Sequence, residues 1–275
     1  MKRYKTIMLL QTKNAVIYGA GGSLGGAVAR ALASAGAKVF LTGKKLNSIK
    51  SLEKDILASG GNVEIAEVDA MDEQAINDHL TKIIGRNGTV DISFNAIGWQ
   101  DTQDTPLVEM TLADFIRPVN IAMQTQFLTA TAAGRAMIKQ KSGVILSLTA
   151  TPGGIGYPKV GGFGPACCAV ESFSRDLASE LGVHGIRVIN IRSAGSPDSR
   201  PFVEALRNGG DQVKDFITKL EEDTMLKKLP MMADIANVAA FLASDLAGKI
   251  TGVTIDVTSG TTAGLNYKVP MIPFR

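Results

Sequence analysis

The feature that most constrains the fold is a cluster of glycines directly after a short apolar segment. Residues 14–18 have the pattern of a buried strand, Gly19 to Gly26 contain five glycines, and a helical pattern covers 24–35. Glycine at such a junction permits a tight turn, the approach of a pyrophosphate and close packing of helix on strand. The helix N-terminus then presents unpaired N–H groups to an anion. The segment therefore predicts a dinucleotide-binding turn, with a merely tight strand-to-helix turn as the alternative.

Apolar strand patterns alternate with helical patterns along the rest of the chain. The predicted strands are 38–42, 63–68, 90–95, 144–148, 186–191 and 253–257, and the predicted helices are 46–58, 73–84, 111–139, 167–181 and 235–243. This alternation predicts an α/β fold, a Rossmann-type doubly wound parallel sheet with helices on both faces. We expect one domain over 1–275, with ligands bound beyond the carboxyl ends of the strands. Residues 193–229 interrupt the alternation and are interpreted as a substrate loop or lid, and 265–275 as a C-terminal arm.

Composition and charge exclude several classes of protein. A net charge of +3 over 275 residues, without a long run of like charges, does not predict nucleic-acid binding. No segment approaches the roughly 18 apolar residues of a membrane span. The two cysteines, Cys167 and Cys168, are adjacent and cannot link distant segments, so we expect a reduced, cytoplasmic protein. Neither histidine has other ligand residues at metal-binding spacing, and no metal site is predicted.

The residues after the second predicted strand bear on the choice of cofactor. A carboxylate there would bind the ribose 2′-hydroxyl of NAD. This chain instead has Gly43, Lys44 and Lys45, and a lysine can pair with the 2′-phosphate of NADP. The sequence therefore favours NADP, with NAD possible. The alternative is that these lysines are a solvated basic helix start.

These motifs, together with those of the C-terminal half, resemble the motifs of the short-chain dehydrogenase/reductase family. Gly19 and Gly25 match its TGxxxGxG turn, in which Tyr18 and Ser23 replace the threonine and the middle glycine. Residues 91–98 resemble the family's strand ending in NNAG, and 230–252 resemble its last helix and strand. The resemblance implies an NAD(P)-binding oxidoreductase in which Asp69 contacts adenine. The expected cofactor-binding residues are Gly19, Gly22, Ser23, Leu24, Gly25, Gly43, Lys44, Asp69, Ala70, Asn95, Ala96 and Gly98.

The active-site residues of the family are not matched. Its members carry Asn, Ser, Tyr and Lys, and the tyrosine donates a proton to the substrate carbonyl while the lysine lowers its pKa and holds the ribose. The helix over 169–181 aligns without a gap, which places Phe163 at the tyrosine, Cys167 at the lysine and Ala150 at the serine. The asparagine position falls on Ala122, with Asn120 two residues away. The family's PG dipeptide after the sixth strand is also missing.

Three residues are weak candidates for a substitute donor. Tyr157 and Lys159 follow the fifth strand and could swing into the site, but the favoured interpretation is that both lie on a surface loop. Thr149 keeps a hydroxyl beside Ala150, although alternate side chains of a strand point to opposite faces. Cys167 could be a reactive thiol at a helix start, but a buried free cysteine is the commoner case.

Three functions remain open from the sequence. They are an NADP(H)-dependent oxidoreductase with an altered proton donor, a catalytically inactive dinucleotide-binding protein such as a sensor or assembly subunit, and an enzyme of another class. We name the first because the cofactor itself carries the hydride. The expected partner is a small apolar substrate. A homodimer or homotetramer is also expected, with the two long helices pairing through small residues: Ala130, Ala132, Ala133, Gly134, Ala166 and Ala169.

Overall fold

A seven-stranded sheet forms the centre of the structure, a computed structural model that describes residues 8–264. The predicted arm over 265–275 lies outside the described residues. The strands are β1 Asn14–Tyr18, β2 Lys38–Gly43, β3 Asn62–Glu67, β4 Ile92–Asn95, β5 Gly143–Ala150, β6 Ile186–Ser193 and β7 Thr254–Val257. All neighbouring strands are parallel, in the order β3-β2-β1-β4-β5-β6-β7. The predicted doubly wound α/β fold is confirmed.

Seven helices connect the strands. They are α1 Ser23–Ser34, α2 Lys50–Ala58, α3 Glu73–Asn87, α4 Leu112–Gln140, α5 Phe163–Leu181, α6 Arg200–Glu222 and α7 Met232–Ala243. Strand order reverses between β1 and β4, which makes the carboxyl ends of these two strands the switch point where ligands bind in such sheets.

The core consists of two apolar layers, one on each face of the sheet. Ala15 and Ile17 of β1 pack with α1, α2 and α7, whereas Val16 and Tyr18 pack with α3, α4 and α5. This alternation follows from the two-residue period of a strand. Because both faces are covered, β1 is buried along its whole length, as expected of a central parallel strand.

Most predicted elements agree with the structure to within four residues at each end, and three of them need separate description. The predicted helix 46–58 is divided into a 3₁₀ turn, Leu46–Ser48, and α2. Pro118 removes one backbone donor, yet α4 continues through it. The excursion over 193–229 is more helical than its pattern around 213–220 indicates, because α6 spans 23 residues with a break in helical geometry at Gly210.

No residue of α6 is buried, as expected of a segment that lies over the body of the fold. None of the helices in residues 8–264 combines the length and the apolar character that a membrane crossing requires. Within the same residues, His, Cys, Asp and Glu side chains do not gather in threes at a distance that would hold a metal ion.

Candidate functional site

The glycine turn lies against the segment that follows β4. Gly19 has φ +75°, and a Cβ atom there would lie 2.6 Å from the carbonyl oxygen of Ala96. Gly25 packs on the Gly19 carbonyl with no space for a side chain, and a Cβ at Gly22 would lie 3.3 Å from the same oxygen. α1 begins at Ser23 with no side-chain cap and no acid in its first turn. Its first N–H groups are therefore free to bind an anion.

A lysine and an aspartate meet at the end of β2. The Nζ atom of Lys44 lies 2.8 Å from Oδ2 of Asp69, and Oδ1 of Asp69 accepts a hydrogen bond from the Met71 N–H at 3.1 Å. The hydrogen bond between the two side chains raises the pKa of Lys44 and lowers the pKa of Asp69. The two predicted adenosine-side residues are thus adjacent and charged. Ala70, beside them, is buried in the apolar layer with Tyr18.

Sequence reasoning missed an acid at this turn. Glu67, the last residue of β3, accepts a hydrogen bond from the backbone N–H of Leu46 at 3.3 Å. The turn after β2 therefore contains no acidic residue of its own, as expected. The carboxylate of Glu67, from the neighbouring strand β3, nevertheless lies beside it. The signal was present in the sequence, since neighbouring parallel strands end at the same edge and Glu67 closes the third strand.

Asn95 connects the end of β4 to α4. Its side-chain amide donates to Oγ1 of Thr129 at 3.0 Å, and its Oδ1 accepts from the N–H of Ile97 at 3.0 Å. These bonds hold the backbone of 95–97 opposite Gly19. Of the remaining predicted residues, Leu24 packs on the apolar layer of α1, and Gly98 has open space around its Cα. The structure thus places the predicted cofactor residues of β1 and β4 side by side.

Phe163 and Cys167, which are expected at the positions of the family's tyrosine and lysine, lie in an aromatic and apolar cluster. The ring of Phe163 packs on Trp99 with centroids 5.3 Å apart and planes at 48°. Trp99 is 5% exposed and shares a buried cluster with Ala122 and Cys167. Burial raises the pKa of the Cys167 thiol to about 12, so this thiol carries no charge near neutral pH.

Trp99 is the second residue that sequence reasoning missed. It is the only tryptophan of the chain and directly follows Gly98. Its buried indole nitrogen has no hydrogen-bond partner among the described residues. The indole lies in one cluster with Ala122 and Cys167. The surroundings of these two side chains are therefore apolar.

Thr149 belongs to a buried polar network behind the site. Its hydroxyl donates to Oε1 of Glu171 at 2.9 Å and accepts from the side-chain amide of Asn190 at 2.7 Å. Arg192 forms two bonds with the Glu171 carboxylate, at 3.0 and 2.6 Å, and a third with Asp256 at 3.0 Å. The Thr149 hydroxyl therefore donates its proton to the hydrogen bond with Glu171, and Thr149 is not available as a substitute proton donor.

The other two candidate donors lie in the loop after β5. Tyr157 is partly buried, and burial together with the nearby charge of Asp223 raises its pKa. Lys159 has φ +60°, its side chain is exposed, and its carbonyl accepts from the Asp104 N–H at 2.9 Å. Neither packs in the cluster of Trp99 and Phe163.

Comparisons with known proteins find relatives that match more than nine tenths of the chain. The family model described as enoyl-(acyl carrier protein) reductase matches residues 19–262. The chain is 30% identical over 261 residues to 3-oxoacyl-[acyl-carrier-protein] reductase FabG of Escherichia coli K12, covering 92% of this chain and 98% of that protein. It is 28% identical over 261 residues to 2,3-dihydro-2,3-dihydroxybenzoate dehydrogenase of Bacillus subtilis, covering 93% and 98%.

Solved structures show the same fold. Levodione reductase superposes with a TM-score of 0.84 at 26% identity, covering 92% of this chain and 99% of that one. NAD⁺-bound xylitol dehydrogenase superposes with a TM-score of 0.84 at 23% identity, covering 91% and 99%. At that identity the second likeness concerns the fold alone. Together these matches extend over the glycine turn, the segment after β4 and the last strand.

Proposed function

Because the chain belongs to the short-chain dehydrogenase/reductase family of oxidoreductases, we propose that it binds NADP(H) at the carboxyl ends of β1 and β4. We propose further that it acts as an NADP(H)-dependent oxidoreductase with an altered proton donor. The observation that carries the proposal is the glycine turn, where Gly19 and Gly25 leave no space for side chains. A backbone this close, at an uncapped helix start, fits a pyrophosphate.

The residues of the site divide into four roles. The N–H groups at the start of α1 would bind the pyrophosphate, and Asp69 would bind the adenine. Lys44 and Lys45 would pair with the 2′-phosphate, for which Lys44 would have to leave its contact with Asp69. Asn95 holds the backbone of 95–97 in place through its bonds to Thr129 and Ile97. When bound, the reduced cofactor supplies a hydride.

No side chain at the family's relay positions supplies the matching proton. Phe163 has no ionisable group, Ala150 has no hydroxyl and the buried Cys167 thiol stays neutral. In this proposal the proton comes from water, and turnover of ordinary ketones and secondary alcohols is slow. General acid catalysis contributes typically about 10²- to 10⁴-fold, and that factor is the expected deficit.

A second candidate function is a dinucleotide-binding protein without turnover, a sensor or assembly subunit. The Trp99–Phe163 packing favours it, because the buried cluster occupies the place of the relay. Both candidates predict cofactor binding. They differ only in whether hydride leaves the bound cofactor.

Cofactor choice is tested by titration with NADPH and NADH, read from the quenching of Trp99. We expect NADPH to bind about tenfold to a hundredfold more tightly, the range of a charge-assisted phosphate contact. The double variant Lys44→Ala, Lys45→Ala should lose this preference, whereas the matched control Lys54→Ala, exposed on α2, should keep it. Equal affinities of the wild type for the two cofactors contradict the NADP assignment.

Turnover separates the two candidates. A panel of aldehydes, ketones, quinones and secondary alcohols is followed by nicotinamide absorbance with each cofactor. Slow but saturable turnover supports the altered oxidoreductase, and cofactor binding with no turnover supports the second candidate. If a carbonyl compound turns over rapidly, Tyr157→Phe and Lys159→Ala test whether the loop after β5 supplies the proton.

A further inference from the structure

The carboxyl ends of β4 and β5 meet one apolar cluster at the edge of the sheet where ligands bind in this fold. Trp99 follows β4, and Ala150 is the last residue of β5. Phe163 reaches the same cluster from the start of α5, where Cys167 follows one turn later. Two strand ends and one helix start therefore bring these four side chains together.

The hydroxyl groups that flank Ala150 are all bonded within the protein. Thr149 donates to Oε1 of Glu171 at 2.9 Å. Ser193, which pairs with Ala150 across the sheet, donates to the Thr149 carbonyl at 3.2 Å. Thr151 in turn donates to the Ser193 carbonyl at 3.4 Å. None of these three hydroxyl protons is therefore free for a substrate.

Two buried donors that follow these strands keep no partner among the described residues. They are the indole N–H of Trp99 and the hydroxyl of Ser196, which follows β6. Each can donate a hydrogen bond, but indole and serine hydroxyl groups are not among the side chains that ionise near neutral pH. Neither group therefore replaces a general acid.

A site without a side-chain acid does not treat all hydride acceptors alike. A ketone that accepts a hydride becomes an alkoxide, a strong base that needs a proton in the same step. A quinone that accepts a hydride becomes the monoanion of a hydroquinone, in which the negative charge lies on a phenol oxygen. Phenol groups have a pKa of about 10, so this anion forms without a proton donor. The missing acid therefore costs a quinone far less than a ketone.

The step balances without a further reactant. One quinone oxygen receives the hydride, a hydrogen with both electrons of a C–H bond of the reduced cofactor, and forms an O–H bond. The other quinone oxygen takes the negative charge as the ring becomes aromatic. The products are oxidised cofactor and hydroquinone monoanion, which water protonates afterwards.

The cluster also suits a flat, uncharged ring. Phe163 is half-buried with its ring centroid 5.3 Å from that of Trp99, so part of its surface remains accessible to a ligand. Aromatic rings pack favourably at such spacings. Arg192, next to the end of β5, is already paired with Glu171 and Asp256. It therefore offers no free charge to an acidic substrate.

Building on the proposed function, we propose that the substrates of this site are quinones, and that the quinone ring stacks on Phe163 beside Trp99. Phe163 then binds the substrate at the position where the family has its proton donor. Because a quinone needs no acid at that position, the missing donor becomes a basis of substrate specificity.

Binding is measured by calorimetry on the enzyme loaded with oxidised NADP, so that no reaction follows. The probe is duroquinone, whose fully substituted ring cannot add the exposed thiol of Cys168. Phe163→Leu keeps an apolar side chain but removes the ring, and we expect it to weaken duroquinone binding about two- to tenfold, the range of an aromatic contact. Phe241→Leu, at an exposed position of α7, is the matched control and should bind duroquinone as the wild type does.

Turnover of the wild type is compared between duroquinone and α-tetralone, a flat molecule of similar size with a single ketone. We expect duroquinone to react at least about 10²-fold faster, the smaller contribution of general acid catalysis. Its single-turnover rate should be constant from about pH 6 to 9 and unchanged in deuterium oxide, because no proton moves in the hydride step.

The outcomes separate this proposal from the proposed function. Three results overturn the quinone assignment alone: a duroquinone affinity that Phe163→Leu leaves unchanged, a tetralone rate equal to the duroquinone rate, or a duroquinone rate that falls with pH or slows in deuterium oxide. If the wild type binds NADPH and duroquinone but transfers no hydride, the assignment is wrong and the second candidate function is correct. If the wild type binds neither NADPH nor NADH, both proposals fail.

Discussion

Gly19 meets two requirements at a single residue. Its φ of +75° is a conformation that side chains disfavour, and the Ala96 carbonyl oxygen would lie 2.6 Å from any Cβ. Gly88, at the end of α3, shares the first requirement with φ +84° but has no heavy atom within 4 Å of the same position. Substitutions at the two glycines can therefore distinguish the cost of the backbone conformation from the cost of a steric clash.

Gly19→Ala should destabilise the protein and abolish cofactor binding, because the methyl group forces β1 away from the segment after β4. Gly88→Ala, the control, should lose only the conformational term of about 1–2 kcal/mol and bind the cofactor normally. Urea unfolding and cofactor titration measure the two effects. Equal losses of stability in both variants would show that Gly19 is needed for its conformation alone.

The polar network of Arg192 acts at the scale of elements, since it joins β5, α5, β6 and β7. The Arg192 and Glu171 side chains are 15% and 6% exposed. Arg192 also reaches the Gly153 carbonyl at 3.4 Å, and a Cβ on Gly154 would lie 2.7 Å from its Nη1 atom. The backbone that follows Ala150 is thus positioned by an ion pair rather than by apolar packing.

Arg192→Met should lower the free energy of unfolding by about 3–5 kcal/mol, because it leaves the buried Glu171 carboxylate without its partner. The control is Arg30→Met, which breaks the ion pair with Asp55 whose side chains are 52% and 51% exposed, and it should cost about 0–1 kcal/mol. Denaturant unfolding gives both values. A loss no larger than that of the control would contradict the role assigned to the network.

At the scale of the whole molecule, five of the six small residues expected between subunits lie inside the protomer, whereas Ala169 is half-buried. Ala130, Ala132, Ala133, Gly134 and Ala166 are buried, because α4 and α5 already pack on the same protomer's sheet and on each other. For these five residues the expectation of a contact between subunits is wrong. The outer face of α4 instead presents large apolar side chains, among them Leu112 and Phe127, the latter 53% exposed with its ring 6.2 Å from Phe173.

We therefore predict a homo-oligomer in which this outer face of α4 pairs across a two-fold axis, the commonest arrangement of soluble oligomers. Light scattering should give at least twice the 29.0 kDa chain mass. Phe127→Asp should shift the mass toward the monomer, whereas Leu57→Asp, an equally exposed apolar position on α2, should not. A monomeric wild type at micromolar concentration contradicts the prediction.

The strand and the turn at the N-terminal end of the fold could be predicted from local sequence. The strand Asn14–Tyr18 has the bounds that its apolar run indicates, and Gly19 has the positive φ that a tight turn requires. The surroundings of the candidate proton donors could not be predicted in the same way. Whether Thr149 faces the substrate or Glu171 depends on a helix 22 positions away, and no local pattern specifies that partner.

The alternation of strands and helices and the glycine turn could be predicted from local patterns, because hydrophobic period and glycine conformation act over a few residues. The strand order, with its switch point between β1 and β4, emerges only in the folded chain. The same holds for the surroundings of Phe163 and Cys167. The packing of Trp99 on Phe163, the approach of Glu67 to Leu46 and the bond from Arg200 to Ser23 join residues 64, 21 and 177 positions apart. Such contacts depend on the positions that the helices take on the sheet. Those positions are set by the packing of side chains throughout the core.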